Sequence, residues 1–486
     1  MSGGKLKKLY FPICLAILFL GACQPSLPPD GNELPPLPKD TEGKEWFYAV
    51  NFITKNFYQL DTTLRYEGKK CLIYVENGDH VILDAEVEAF AREYDDKIYD
   101  IVVNNFCKID FSVNGTAYKN TLEYASSLTG RDDKMIILFL DIKDEFAPPG
   151  NTGYIAGYFD PTNFFVNLKG SNNKNMIYID IYPGLNNKAE MYSTLIHELQ
   201  HLANFANSLL LRENRWMDTW INEGLSLISE YLYRGEPIKS RIDWFNKDQQ
   251  GTIAMGNNFY LWDNYDPKTY PNAILDEYAT AYMFFHWLYL QAGNDNNVLR
   301  GISTSGSSDF HAVTERASSF VPGGNDWEVL LRTWLAANYI NNSTDQYGYK
   351  GEKAFANLTI RGLRNANNKI QLYPGEGVYS RISGSSYTPG SSGANIRYAG
   401  LAKGSEPDVS APSYTGTVLL TFNKKAEDEK TFEEGFLAGG AAGVLTSIAA
   451  ANSSINRSAA ESDPPVRIDA QDLLRRNNNF PFPTKP

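Results

Sequence analysis

Two of the five histidines in this 486-residue chain stand four residues apart in the run His197-Glu198-Leu199-Gln200-His201. On a helix, 100° per residue leaves positions i and i+4 about 40° apart, so both imidazoles leave one face and can share a metal ion. Neutral imidazole suits two corners of a tetrahedral Zn²⁺ site. Glu198, beside the first imidazole, is placed to take a proton from water rather than to bind the ion. Random order at this composition would supply roughly 0.003 such runs, so the pattern outweighs a solvated helix face carrying coincidental residues.

Catalytic zinc sites commonly use three protein ligands and keep the fourth position open. Glu223, within Trp220-Ile221-Asn222-Glu223-Gly224-Leu225-Ser226, follows His201 by 22 residues on a second expected helix, with His286 and His311 as rival third ligands. Asn222, Glu223 and Ser226 match the N-E-x-x-S run of the gluzincin zinc peptidases. Within that clan, HELQHLANF, with WINEGLS after it and GYFDP before it, resembles the hyicolysin-like neutral metallopeptidases over roughly residues 45–345. The resemblance implies an α+β gluzincin-type domain, a mixed sheet followed by helices, with one catalytic Zn²⁺ held by His197, His201 and Glu223. Glu198 would be the general base and proton shuttle for hydrolysis of protein or peptide substrates, without a covalent acyl-enzyme. Thermolysin-like relatives carry an acidic residue four places after the ligand Glu to orient a histidine, but Leu227 stands there in this chain. Asp218 and Glu230 are the candidates for that task, each expected as a surface charge. Tyr278, then Tyr282, are the candidate donors to the developing oxyanion, and His286 on the same stripe reads as a packing residue.

No GxMEN-type run is present, which favours an endopeptidase over the aminopeptidases that share this site. The competing class is a surface-anchored adhesin or binding lipoprotein on a peptidase fold. A purely structural zinc is disfavoured, because such sites take four ligands rich in Cys, and Cys71 and Cys107 do not form a C-x-x-C pair. A substrate strand is expected along the glycine-rich run Gly153 to Tyr158, where missing side chains let another backbone approach.

These residues need elements to position them. Lys70 to Val75, Met135 to Ile142 and Asn175 to Tyr182 are short β-rich apolar runs, and Asp84 to Val103 places apolar residues at helical spacing between the first two. The H-E-x-x-H run lies on an expected helix from Lys188 to Ala206, with Asn187 as its N-cap and Glu190 three residues on. Further helices are expected over Asn222 to Tyr233, Leu275 to Gln291 and Trp327 to Ile340. Beyond Asn341 short β-like runs at Lys369 to Tyr373, Asn395 to Leu401 and Thr417 to Phe422 indicate a small β-rich region.

The first twenty-three residues carry an address. Lys5, Lys7 and Lys8, the apolar run Leu9 to Leu20 and the small pair Gly21-Ala22 have a signal-peptide layout. The run spans about 18 Å, short of a hydrocarbon core. Leu20-Gly21-Ala22-Cys23 resembles the bacterial lipobox, so Cys23 is the expected lipidation site, followed by a proline-rich tether. The expected organisation is a signal peptide over 1–22, a tether over 23–45, a peptidase domain over 46–345, a β-rich region over 346–425 and a low-complexity tail over 426–486. The formal charge of −12 becomes −15 once three lysines leave with the signal peptide. Such an acidic body disfavours nucleic acid as a partner and leaves the acyl chains to hold the membrane. Export to the bacterial cell envelope, anchored at an outer membrane or cell surface, is the expected location. Cys71 and Cys107 remain as either one disulfide or two buried thiols.

Overall fold

The computed structural model describes residues 34–41, 43–129, 134–147, 153–212, 216–256, 259–262, 265–266, 268–270, 272–360, 369–427, 431–438 and 466–468. The chain divides into two units, Met1–Pro36 and Leu37–Pro486, and every element below belongs to the second. The signal peptide and Cys23 lie outside the described residues, as does most of the tail. Among the described residues no helix is long and apolar enough to cross a membrane.

The first layer is a mixed six-stranded sheet. It is built from β1 (Lys44–Asn51), β2 (Asn56–Glu67), β3 (Cys71–Glu76), β6 (Met135–Leu140), β9 (Met176–Asp180) and β8 (Gly157–Phe159), in that spatial order. β3, β6 and β9 are parallel to one another, whereas the β1–β2 hairpin and the edge strand β8 pair antiparallel. The three parallel strands are buried on both faces, which is why they read as unbroken apolar runs. Ile73, Ile137 and Ile177 point into the large helix-side core, and Tyr74, Leu138 and Tyr178 into a second core shared with Phe47 and Leu60 of the hairpin.

Between β3 and β6 run α1 (Asp84–Glu93), a π-helical turn (Tyr94–Ile98) and α2 (Tyr99–Phe106), then the hairpin β4 (Ile109–Val113) and β5 (Thr116–Asn120), then α3 (Thr121–Leu128). Asn114 and Gly115 take positive φ at the hairpin tip, the turn that an Asn-Gly pair favours. Cys71 and Cys107 are free, buried thiols, and burial pushes both pKa values up, that of Cys107 to about 12.

β7 (Gly153–Ile155) leads into β8, and after β9 the helical layer begins. α4 (Lys188–Phe205) starts at its expected cap, where the Asn187 side chain accepts from the Glu190 N–H. α5 (Thr219–Arg234) ends at Gly235, whose φ of 73° supplies the left-handed closing residue. Then follow α6 (Lys239–Lys247), α7 (Thr252–Gly256), α8 (Ala273–Gln291), α9 (Asn296–Ser303), α10 (Phe310–Ala317) and α11 (Trp327–Ile340).

The C-terminal strands are β10 (Lys369–Leu372), β11 (Gly377–Arg381), β12 (Ser386–Tyr387), β13 (Ile396–Leu401), β14 (Tyr414–Thr415), β15 (Val418–Asn423), β16 (Glu433–Phe436) and β17 (Val466–Ile468). The antiparallel sheet β11-β15-β13 shares the main core through Tyr379, Leu401, Leu420 and Phe422, and the Tyr379 hydroxyl donates to the Leu335 carbonyl of α11. β17 pairs parallel with β7.

Candidate metal centre

α4 and α5 bring the candidate ligands together. Fourteen of the eighteen α4 residues are buried, so the helix has little choice of orientation once its leucines enter the core. The Asn204 amide donates to Asn222 Oδ1 at 2.7 Å and fixes the contact between α4 and α5. On the far side of α5, a Cβ at position 224 would lie 2.0 Å from the Phe285 ring. Only glycine lets α8 press this close behind Glu223. At position 157 a Cβ would meet Thr194 and the Tyr178 carbonyl at 2.7 Å, so Gly157 lets the edge strand β8 lie against α4.

His197, His201 and Glu223 are 1%, 2% and 0% exposed, and one donor atom from each lies within 4.8 Å of the others. Glu223 Oε2 stands 3.4 Å from both His197 Nε2 and His201 Nε2. That spacing exceeds an ordinary charge-assisted hydrogen bond. It is the edge of a tetrahedron whose bonds are about 2.1 Å long, the length of zinc bonds to imidazole and carboxylate. Two imidazoles and a carboxylate, converging in a buried site, therefore fit Zn²⁺ in donor type, number and spacing.

The far nitrogen of each ring is also engaged. His197 Nδ1 lies 2.8 Å from Glu230 Oε1, and His201 Nδ1 lies 3.0 Å from Ser226 Oγ. With Nδ1–H donating in both, each Nε2 presents its lone pair towards the point where the donors converge. One face of α5 supplies all three groups, since Ser226 and Glu230 sit about −60° and −20° round the helix from Glu223. Ser226 in turn donates to Gln200 Oε1. Glu230 Oε2 accepts from Ser193 Oγ at 3.0 Å, Ser193 Oγ accepts from Arg234 Nε at 2.8 Å, and Arg234 reaches Glu190 at 2.7 Å. The expectation that Glu230 is a surface charge is thus corrected: it is 3% exposed, because α5 turns it inward against α4. Asp218 is half-buried and stands at the N-cap of α5.

Glu198 is 1% exposed, and its Oε2 accepts from the Phe159 N–H of the edge strand at 3.0 Å. A backbone donor holds the carboxylate beside the histidines, outside the group of three. The Tyr278 ring meets Trp262 edge-on with centroids 5.0 Å apart, and the Arg241 guanidinium lies 5.1 Å from its centre. The Tyr282 hydroxyl accepts from the Ile238 N–H. Neither rival third ligand joins the site, for His286 is buried between Tyr231 and Phe355, and His311 is exposed and bonded to Asp309.

The chain is 26% identical over 326 residues to the neutral metalloprotease ShpI of Staphylococcus hyicus, covering 65% of this chain and 67% of that protein. This chain resembles a metalloprotease. No family model matches it. The likeness supports a metallopeptidase with metal-dependent activity on peptides or proteins, and does not favour a binding-only lipoprotein.

Proposed function

We propose that the protein is an exported, lipid-anchored zinc endopeptidase of the gluzincin type. The ion would be held by His197, His201 and Glu223, with Cys23 carrying the lipid. The observation that carries the reading is the pair of 3.4 Å separations between Glu223 Oε2 and the two Nε2 atoms, with Glu198 tethered alongside. When bound, the zinc ion supplies Lewis-acid polarisation of the scissile carbonyl and acidifies water. Glu198 accepts the proton of the attacking water and delivers it to the leaving amine, while the Phe159 N–H keeps its carboxylate in place. Glu230 and Ser226 keep the two imidazoles in the tautomer that presents Nε2. Tyr278 is the proposed donor to the developing oxyanion.

The test uses purified mature protein and an unfolded protein substrate, with chelator and zinc add-back. Glu198→Gln is expected to lower turnover by about 10²- to 10⁴-fold with zinc content unchanged. Tyr278→Phe is expected to lower kcat while leaving KM and zinc content in place. Stoichiometric zinc without cleavage above the Glu198→Gln control would overturn the reading.

A further inference from the structure

The two imidazoles of the candidate metal centre differ in what fixes their far nitrogens. Glu230 meets His197 Nδ1 with a carboxylate oxygen, which when ionised can only accept, so that ring carries its proton on Nδ1. Ser226 meets His201 Nδ1 with a hydroxyl, which can either accept or donate. That pair alone allows both tautomers of His201, and only the one protonated on Nδ1 offers Nε2 to a metal. Something beyond Ser226 has to choose.

A chain of buried amides and hydroxyls does so, starting from backbone groups whose roles are fixed. Asn207 lies on the π-helical turn Ala206–Leu210 that follows α4. Its Nδ2 donates to the Phe106 carbonyl at 2.8 Å, and its Oδ1 accepts from the Lys108 N–H at 3.4 Å. A carbonyl only accepts and a backbone N–H only donates, so this amide has one orientation. Nδ2 also donates to Ser303 Oγ of α9 at 3.0 Å, which leaves the single proton of that hydroxyl for Asn204 Oδ1, 2.6 Å away. Asn204 is thereby turned so that its Nδ2 donates to Gln200 Oε1 at 3.4 Å, and the same oxygen accepts from Ser226. The reverse Gln200 amide would set two donors, its own Nε2 and Asn204 Nδ2, against each other. With its only proton directed at Gln200, Ser226 can only accept from His201, and Nδ1 must be the donor.

None of Asn207, Ser303, Asn204, Gln200 and Ser226 is more than 2% exposed, so bulk water offers no alternative partners. Gln200 Nε2 has no hydrogen-bond partner among the described residues while Oε1 takes two donors. A buried amide left to its own bonding would not leave that N–H unmatched. Its orientation follows from Asn204.

We propose that Asn207, Ser303, Asn204 and Gln200 are positioning residues that act through Ser226 to hold His201 in its metal-binding tautomer, with the Phe106 carbonyl and Lys108 N–H as the fixed reference. The inference rests on the metal-centre reading and adds what sets the direction of the His201 contact.

The experiment measures zinc affinity by chelator competition in wild type, Gln200→Met, Ser226→Ala and the double variant. Gln200→Met keeps the length of the side chain but gives Ser226 no oxygen, so the hydroxyl is free to donate to His201. The expected result is about two- to fivefold weaker zinc binding, because only rings in the right tautomer take the ion. On the Ser226→Ala background, where no hydroxyl remains to turn, Gln200→Met is expected to change nothing. Ser303→Ala, on a different helix, should follow the same pattern, and Ser303→Thr, which keeps the hydroxyl, should retain wild-type affinity. Nitrogen-15 NMR of the zinc-free proteins above about pH 8, where imidazole is ordinarily neutral, reads the tautomer without metal. His201 is expected in the Nδ1–H form in wild type and shifted towards Nε2–H in Gln200→Met. Wild type that shows this tautomer shift but binds no zinc would sink the metal-centre reading and leave the relay standing. Unchanged zinc affinity and tautomer in Gln200→Met, or a loss that persists on the Ser226→Ala background, would overturn the proposal.

Discussion

Three histidine rings are buried to 2% exposure or less, and the fold treats them in opposite ways. At the candidate metal centre His197 and His201 have Nδ1 tied to Glu230 and Ser226, and Nε2 turned towards Glu223. His286 on α8 has no hydrogen-bond partner at either ring nitrogen. Its ring is enclosed by Tyr231, Tyr282 and Phe355 at centroid distances of 4.6 to 5.3 Å, and burial pulls its pKa down to about 3. Burial alone does not make a histidine a ligand. A ring held at one nitrogen and aimed with the other can take an ion, whereas a ring held only by packing serves as an aromatic spacer.

The largest effect that sharpens this contrast comes from acid. The folded pKa of His286 lies below its ordinary 6.5, so the unfolded chain takes up a proton that the folded one refuses. Stability from this group is complete above pH 6.5 and falls as pH drops towards 3. His286→Phe is expected to melt near the parent temperature at pH 7 and to be more stable by about 3 kcal/mol at pH 4, since each unit is worth about 1.4 kcal/mol. Thermal melts of both proteins from pH 4 to 8 read this directly, because the raised acids Asp180 and Glu376, each near pKa 8, are common to both. Parallel curves would break the contrast.

Next in size, Glu230→Ala is expected to weaken zinc binding by about 10- to 100-fold, measured by chelator competition. Glu230→Gln, which keeps an acceptor at Oε1, should recover part of it. Ser226→Ala should have the smallest effect, a few-fold loss, because a neutral hydroxyl orients His201 where a carboxylate orients His197. Equal losses at the two positions would remove the asymmetry between the rings.

Much of the grouping at the candidate site was legible because its spacing is local. His197 and His201 are neighbours on one helix, and that helix announces itself through Asn187 and its buried leucines. The runs at Cys71–Glu76, Met135–Leu140 and Met176–Asp180 were legible for the opposite reason, that both faces are covered. The hairpin over 44–67 was not read, since its residues alternate between buried and partly exposed and mix charges with aromatics. Glu230 was named but misjudged, because a carboxylate on a helix reads as solvated until the crossing of α4 over α5 is known. The Ser226 contact with His201 and the Phe159 donor to Glu198 also join distant segments, and no local pattern marks them. The short helices α6, α7, α9 and α10 were not read, since each spans only five to nine residues.

The central claim is that His197, His201 and Glu223 hold one zinc ion together. X-ray absorption on zinc-reconstituted protein, paired with metal analysis of the wild type and Glu223→Ala, tests it most directly. One zinc per chain, bound through two imidazoles and light oxygen donors and lost from Glu223→Ala at matched free zinc, is the predicted result. Undiminished zinc with an unchanged spectrum in Glu223→Ala would contradict it.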